Sequence, residues 1–240
     1  MKLLSEGIIE KYLIKYINNK WTSMQQGTSL YPERIFPFVI EEAVLNTALT
    51  GSIFRYMHDN NDYASTLVSE AHVKRSGNRN GRCDIIWYSG DAVHYIELKS
   101  VFLYDTAEAN LNAALYYLNE AIKQVYSIVS DDMLKNGVTE NERWYGYAPK
   151  HRYGFVGGFI FSEINNKDKS FINYQKLLNN DKLVIGSSIK PIVYEKQFTG
   201  EPLDISYYRQ EGQKVTIKSD GYFLIYAEFE IRDTMGKAVE

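Results

Sequence analysis

The chain of 240 residues has one cysteine, Cys83, and only five prolines. A single thiol excludes an internal disulfide framework and a cysteine-rich zinc module, and it suits a reducing compartment. No stretch approaches the roughly 18 apolar residues of a membrane-crossing helix. The opening run Met1-Lys2-Leu3-Leu4-Ser5-Glu6-Gly7-Ile8-Ile9-Glu10 is interrupted by acids and lacks the apolar stretch of a secretory signal. The expectation is therefore a cytoplasmic protein with no membrane partner. A basic surplus is missing too: 27 Lys and Arg stand against 30 Asp and Glu, a formal charge of −3. That excludes an all-over basic nucleic-acid binder and confines any phosphate-binding surface to local patches. Repeats, low-complexity tracts and clear linkers are also lacking, which points to one domain over 1–240. What the chain does have is apolar residues at 45%, enough for a real core, and 20 tyrosines whose purpose composition alone does not name.

Periodicity divides the chain. Leu4, Ile8, Ile9, Tyr12, Leu13 and Tyr16 recur at helical spacing and predict a helix over 3–18, ended by Asn18-Asn19. Residues 19–37 read as a connector, and a second helix starts near Pro37 and runs to Leu49, ending near Gly51. The pattern then turns to strands at 66–73, 82–88 and 92–101, joined by short turns at 76–81 and 89–91, so an antiparallel meander is the simplest pairing. A long helix over 107–133 follows, with an apolar stripe of Leu111, Ala114, Leu115, Leu118, Ile122, Val125 and Val129. After a polar loop at 135–152, a buried strand at 153–161 joins the sheet by a crossover. The remainder holds a helix near 170–179, a strand at 191–195 and a closing strand at 222–231, within a β-rich extension over 165–240.

Three charged residues in this frame carry chemistry. Side chains alternate along a strand, so Glu97 and Lys99 share a face. A hairpin turning at Gly90-Asp91 sets Asp84 opposite Glu97. Both acids sit among apolar neighbours, where an unpaired charge is expensive. Either Lys99 alone or a divalent cation can relieve two carboxylates so placed. Magnesium suits such a site, since one or two carboxylates suffice when substrate phosphate and water supply the remaining oxygens.

Asp84, twelve intervening residues, then Glu97-Leu98-Lys99 resembles the PD-(D/E)xK nuclease superfamily, with the proline of that motif replaced by Cys83. The order helix, three strands, helix, strand over about 37–162 is similar to the family's αβββαβ core. The resemblance implies an α/β restriction-endonuclease-like fold, a mixed sheet flanked by helices. It also implies Mg2+ or Mn2+ held by Asp84 and Glu97, and Lys99 orienting the attacking water or stabilising developing charge. Glu42, or Glu41 in reserve, would be the further acid such nucleases take from the preceding helix. Glu70 and Gln124 are auxiliary positions on the same basis. DNA is the default substrate it implies, with a homodimer or a defence or repair complex as partner.

Phosphates would meet two basic groups, Lys74, Arg75, Arg79 and Arg82 before the Asp84 strand, and Lys150 and Arg152 before the fourth strand. Arg143-Trp144-Tyr145-Gly146-Tyr147 interleaves a cation with aromatics, as single-strand stacking sites do. Plainer readings stand beside these. Asp84, Glu97 and Lys99 can be a cross-strand ion cluster, the basic groups solvated loops, and 143–147 a packed loop. Cys83 reads as a small buried hydrophobe facing away from Asp84, and the four histidines show no ligand spacing. Two other functions remain open: a nuclease-fold module that binds without cleaving, and a sequence-specific restriction endonuclease.

Overall fold

The computed structural model describes residues 3–27, 42–99, 104–130, 133–134, 137–179, 183–186, 188–208 and 214–231. Its centre is a six-stranded mixed sheet in the order β1-β2-β3-β4-β8-β5. The strands are β1 (Thr66–Arg75), β2 (Arg79–Ser89), β3 (Ala92–Lys99), β4 (His151–Phe161), β5 (Ile192–Gln197) and β8 (Gly221–Glu230). β6 (Leu203–Tyr208) and β7 (Lys214–Ser219) form a separate antiparallel hairpin. The meander β1–β2–β3 is antiparallel as expected, and β3 pairs β4 in parallel. A parallel pair needs a crossover, and α3 (Ala107–Ile128) supplies it.

Helices cover both faces of the sheet. On one, a π-helical segment Leu3–Leu13 passes into α1 (Ile14–Gln25) and lies beside α2 (Glu42–Asp59). Their Leu4, Ile8, Ile17, Trp21, Leu45, Leu49 and Ile53 pack with Ile85, Trp87, Ile96 and Leu98 of the sheet, and the β6–β7 hairpin adds Leu203, Ile205 and Ile217. On the other face α3 and α5 (Phe171–Leu178) pack Leu111, Leu118, Val125 and Tyr174 against Ile86, Tyr95, Val156 and Phe223. Burying each such side chain stabilises by about 1.5–3 kcal/mol, so the core rests on two apolar layers with the sheet between them. Among the described residues no helix is long and apolar enough to cross a membrane.

Several sequence boundaries shift. Asn18-Asn19 does not end the first helix. Asn18 takes a hydrogen bond from the Tyr222 hydroxyl (2.9 Å) and gives one to that of Tyr194 (3.1 Å), while Trp21 and Met24 extend the buried stripe to Gln25. The second helix passes through Gly51 to Asp59 because Ile53 and Met57 keep its apolar stripe in register. Residues 28–41, where its start is expected, lie outside the described residues. The long helix ends at Ile128, and the loop before β4 contains a short helix α4 (Glu140–Trp144). The C-terminal strand β8 sits between β4 and β5, so this segment completes the sheet.

Candidate active site

The tight turn at Gly90, whose φ of 58° suits glycine, fixes the register of β2 and β3 through Ile85↔Ile96. Asp84 and Glu97 follow at the next position. The β1–β2 ladder is perturbed at the same level. It pairs Ser69 with Ile85 and Ala71 with Cys83, and Glu70, between them, adopts a left-handed φ of 52°. Alternation changes phase there in both strands. Val68 and Ala71 face the α3 layer on β1, and Cys83 and Ile86 face it on β2. The expected alternation is thus broken at Asp84. Cys83 is buried as a small hydrophobe, its thiol directed at the carbonyls of Ile85 (3.4 Å) and Ile96 (3.5 Å). The Asp84 carboxylate accepts a 2.7 Å hydrogen bond from the Leu98 backbone N–H.

Glu97 is 2% exposed, on the α3 side of the sheet, and Lys99 Nζ stands 3.9 Å from its Oε2. Its Oε1 accepts from Arg75 Nη2 at 2.8 Å. Arg75 is itself anchored, donating through Nη1 to the Gln124 carbonyl (2.6 Å) and Ser127 Oγ (3.2 Å) on α3, and through Nη2 to the Arg82 carbonyl. The guanidinium thus ties β1, β2, β3 and α3 together around one buried carboxylate. Gly81 makes this possible, because a Cβ there would collide with the Arg75 side chain. Burial pushes the Glu97 carboxyl up to about 7, and the neighbouring Asp84 charge adds to the rise. Burial also raises Asp84, against the opposing pull of the Leu98 N–H and Lys99.

Other expected site residues fall in different places. Glu42 is the first residue of α2, but its side chain and all of Glu41 lie outside the described residues. α2 packs on the face opposite Glu97. Gln124 reaches the cluster through its backbone carbonyl, while its buried Oε1 has no hydrogen-bond partner among the described residues. Glu70 is exposed and lies 3.6 Å from Arg82. Lys74 is bonded to Asn80 (2.5 Å) and the exposed Arg79 to the Ser76 carbonyl (3.2 Å), both at the β1–β2 turn, roughly 13–17 Å along β2 from Asp84. The second basic group does not flank Asp84. Lys150 pairs with Asp91 at the hairpin turn (3.5 Å), roughly 20 Å along the strands from Asp84. Arg152 is 5% exposed and holds Glu142 through two hydrogen bonds of 2.8 Å, so it is a buried strut and cannot meet solvent phosphate.

Tyr145 and Tyr147 pack on Tyr88, with ring centroids 5.3 and 4.9 Å apart, which makes that part of 143–147 a packed loop. Among the described residues no group of three or more Asp, Glu, His or Cys side chains converges to hold a metal ion. The arrangement can offer a hard cation two carboxylates, Asp84 and Glu97, with a lysine beside them. Sequence reasoning placed Arg75 among the phosphate-binding cations and missed it as the buried partner of Glu97, whereas it did single out Trp144 within the 143–147 stacking segment. The one sequence hint of the Arg75–Glu97 pair is a glycine, Gly81, in a strand otherwise rich in bulky residues. No family model matches the chain, and no curated protein and no solved structure matches it.

Proposed function

We propose that this chain is a metal-dependent nuclease of the PD-(D/E)xK type that hydrolyses phosphodiester bonds, with DNA as the default substrate. The observation that carries the reading is the meeting of Asp84, Glu97 and Lys99 on adjacent strands, Lys99 Nζ standing 3.9 Å from Glu97 Oε2. The element order α2-β1-β2-β3-α3-β4 agrees with the core of that superfamily. Two carboxylates drawn out of water side by side, both with raised pKa, are a donor set that a hard divalent cation relieves. Arg75 occupies one oxygen of Glu97, leaving Oε2 and the Asp84 carboxylate to hold Mg2+ or Mn2+. Such an ion supplies Lewis acidity and a more acidic bound water. Lys99 places a positive charge where negative charge would develop on the phosphate. Lys74, Arg79 and Arg82, at the β1–β2 turn, would receive the backbone phosphates.

A second reading has its own observation. The Arg75 guanidinium already neutralises Glu97, as it would in a nuclease-fold module that binds nucleic acid or protein without cleaving. Cleavage assays decide between the two. Single-stranded and duplex DNA and RNA, linear and circular, are incubated with Mg2+ and with Mn2+. The nuclease reading expects cleavage by the wild type, lowered about a hundredfold or more in Lys99→Ala. No cleavage of any substrate, or undiminished cleavage by the variant, would sink it.

A further inference from the structure

Beside the β1–β2 turn lies a groove of about 790 Å³ that the carboxylate site does not use. Its floor is the outer edge of β1 from Val68 to Lys74 with Asn80 and Gly81, and its far wall is Trp144 and Tyr145 of the α4 region. Trp144 is 81% exposed, the one fully presented indole of the chain's three, since Trp21 and Trp87 are completely buried. We propose that this groove is a binding site for an unpaired nucleobase, with Trp144 as its stacking platform, so that the chain acts on single-stranded or locally unpaired nucleic acid. The proposal rests on the nuclease reading for its biological sense but stands on its own geometry.

Three observations favour a base over other occupants. Among the described lining residues Lys74 stands against two acids, Glu70 and Glu140, with Glu70 beside Arg82 (3.6 Å), so the groove offers no surplus positive charge for a phosphate and suits a neutral, flat ring. Exposed Arg79, Arg82 and Arg143 lie around it and could follow the backbone of the same strand. A peptide adding to the β1 edge is disfavoured. The left-handed backbone at Glu70 interrupts the extended run, and Asn141 Nδ2 already binds the outward carbonyl of His72 at 2.8 Å. The groove is also placed to serve the carboxylates, because Glu70, one of its lining residues, lies between the β1 positions paired with Cys83 and Ile85, level with Asp84.

The test uses the full chain in EDTA, so that binding is read without cleavage. Labelled 12-residue DNA and RNA single strands, their matched duplexes and an extended hexapeptide are titrated by fluorescence anisotropy, with tryptophan emission followed in parallel. The expected result is quenching of Trp144 by single strands, binding at least about tenfold weaker in Trp144→Ala, near-wild-type affinity in Trp144→Phe, and a preference over duplex. The DNA and RNA arms show which strand supplies the base. Equal affinity of Trp144→Ala and wild type, equal binding of duplex and single strand, or occupation by the hexapeptide alone would overturn the proposal. Stacking that persists in a chain with no metal-dependent cleavage rejects the nuclease reading and keeps the groove. Cleavage without stacking does the reverse.

Discussion

Glu97 is held out of water between a guanidinium and a second carboxylate, and this sets a pH dependence for the fold. Free glutamate ionises near 4.5 and Glu97 in the fold at about 7. Between those values the unfolded chain has released a proton that the folded chain keeps. The stabilisation is complete below about 4.5 and is lost as pH rises through 7, with a total on the order of 3 kcal/mol. Buried His94, pushed down to about 3 by desolvation, works in the opposite direction, removing stability as pH falls below its ordinary 6.5. The difference between wild type and Glu97→Gln isolates the glutamate. Urea unfolding in EDTA at pH 5, 6, 7 and 8 should show the variant without the wild type's decline across this window, and identical slopes would refute the assignment. The pairing of Asp84 with Glu97 was legible in the sequence because a two-residue turn fixes the register of a hairpin. Arg75 was not, since its partners come from three other elements and only the folded chain assembles them.

At the level of elements, the helix α4 and the strand β4 are fastened by one buried carboxylate. Glu142 closes a capping box with Thr139, accepts two bonds from Arg152, and takes a third from the Tyr95 hydroxyl at 2.7 Å. Removing it strips the buried Arg152 guanidinium of its carboxylate. Glu142→Ala should therefore cost about 3–5 kcal/mol by denaturant titration, whereas Lys150→Ala, which breaks only an exposed pair with Asp91, should leave the midpoint almost unmoved. Equal effects would show that the charges before β4 are all surface charges, as the sequence reading had them. The Thr139-x-x-Glu142 pattern was visible in the sequence, but a five-residue helix is too short for periodicity to reveal. The β6–β7 hairpin was missed for a related reason. Its inward residues, Leu203 and Ile205 on β6 with Val215 and Ile217 on β7, give only two such apolar positions per strand. The first helix was cut short because Asn18 was read as a terminator, when its side chain reaches across to two sheet tyrosines.

Across the whole molecule, the strands and helices flanking the carboxylates were legible because the helices show one apolar stripe to the sheet and the strands are short apolar runs, buried on both faces, between turns. The position of β8 inside that sheet did not, since strand order depends on long-range pairing that leaves no local mark. The tyrosine excess also resolves here. Tyr88, Tyr95, Tyr174, Tyr222 and Tyr226 are almost fully buried and build the two core layers, while others, among them Tyr63, Tyr116 and Tyr145, are exposed. The negative total charge has a similar reading, with acids such as Glu97, Glu142 and Glu228 buried inside a fold whose β1–β2 turn is locally basic. What the proposed function requires is that Asp84 and Glu97 together hold a divalent cation. Calorimetric titration of Mn2+ into metal-free protein at pH 8 addresses this directly, with Asp84→Asn as the comparison, because the amide oxygen keeps the acceptor for the Leu98 N–H while the charge is removed. The expected result is one site in the wild type and its loss in a variant that still melts as the wild type does. A wild type that binds no Mn2+, or a variant that binds it undiminished, would contradict a metal centre at these residues.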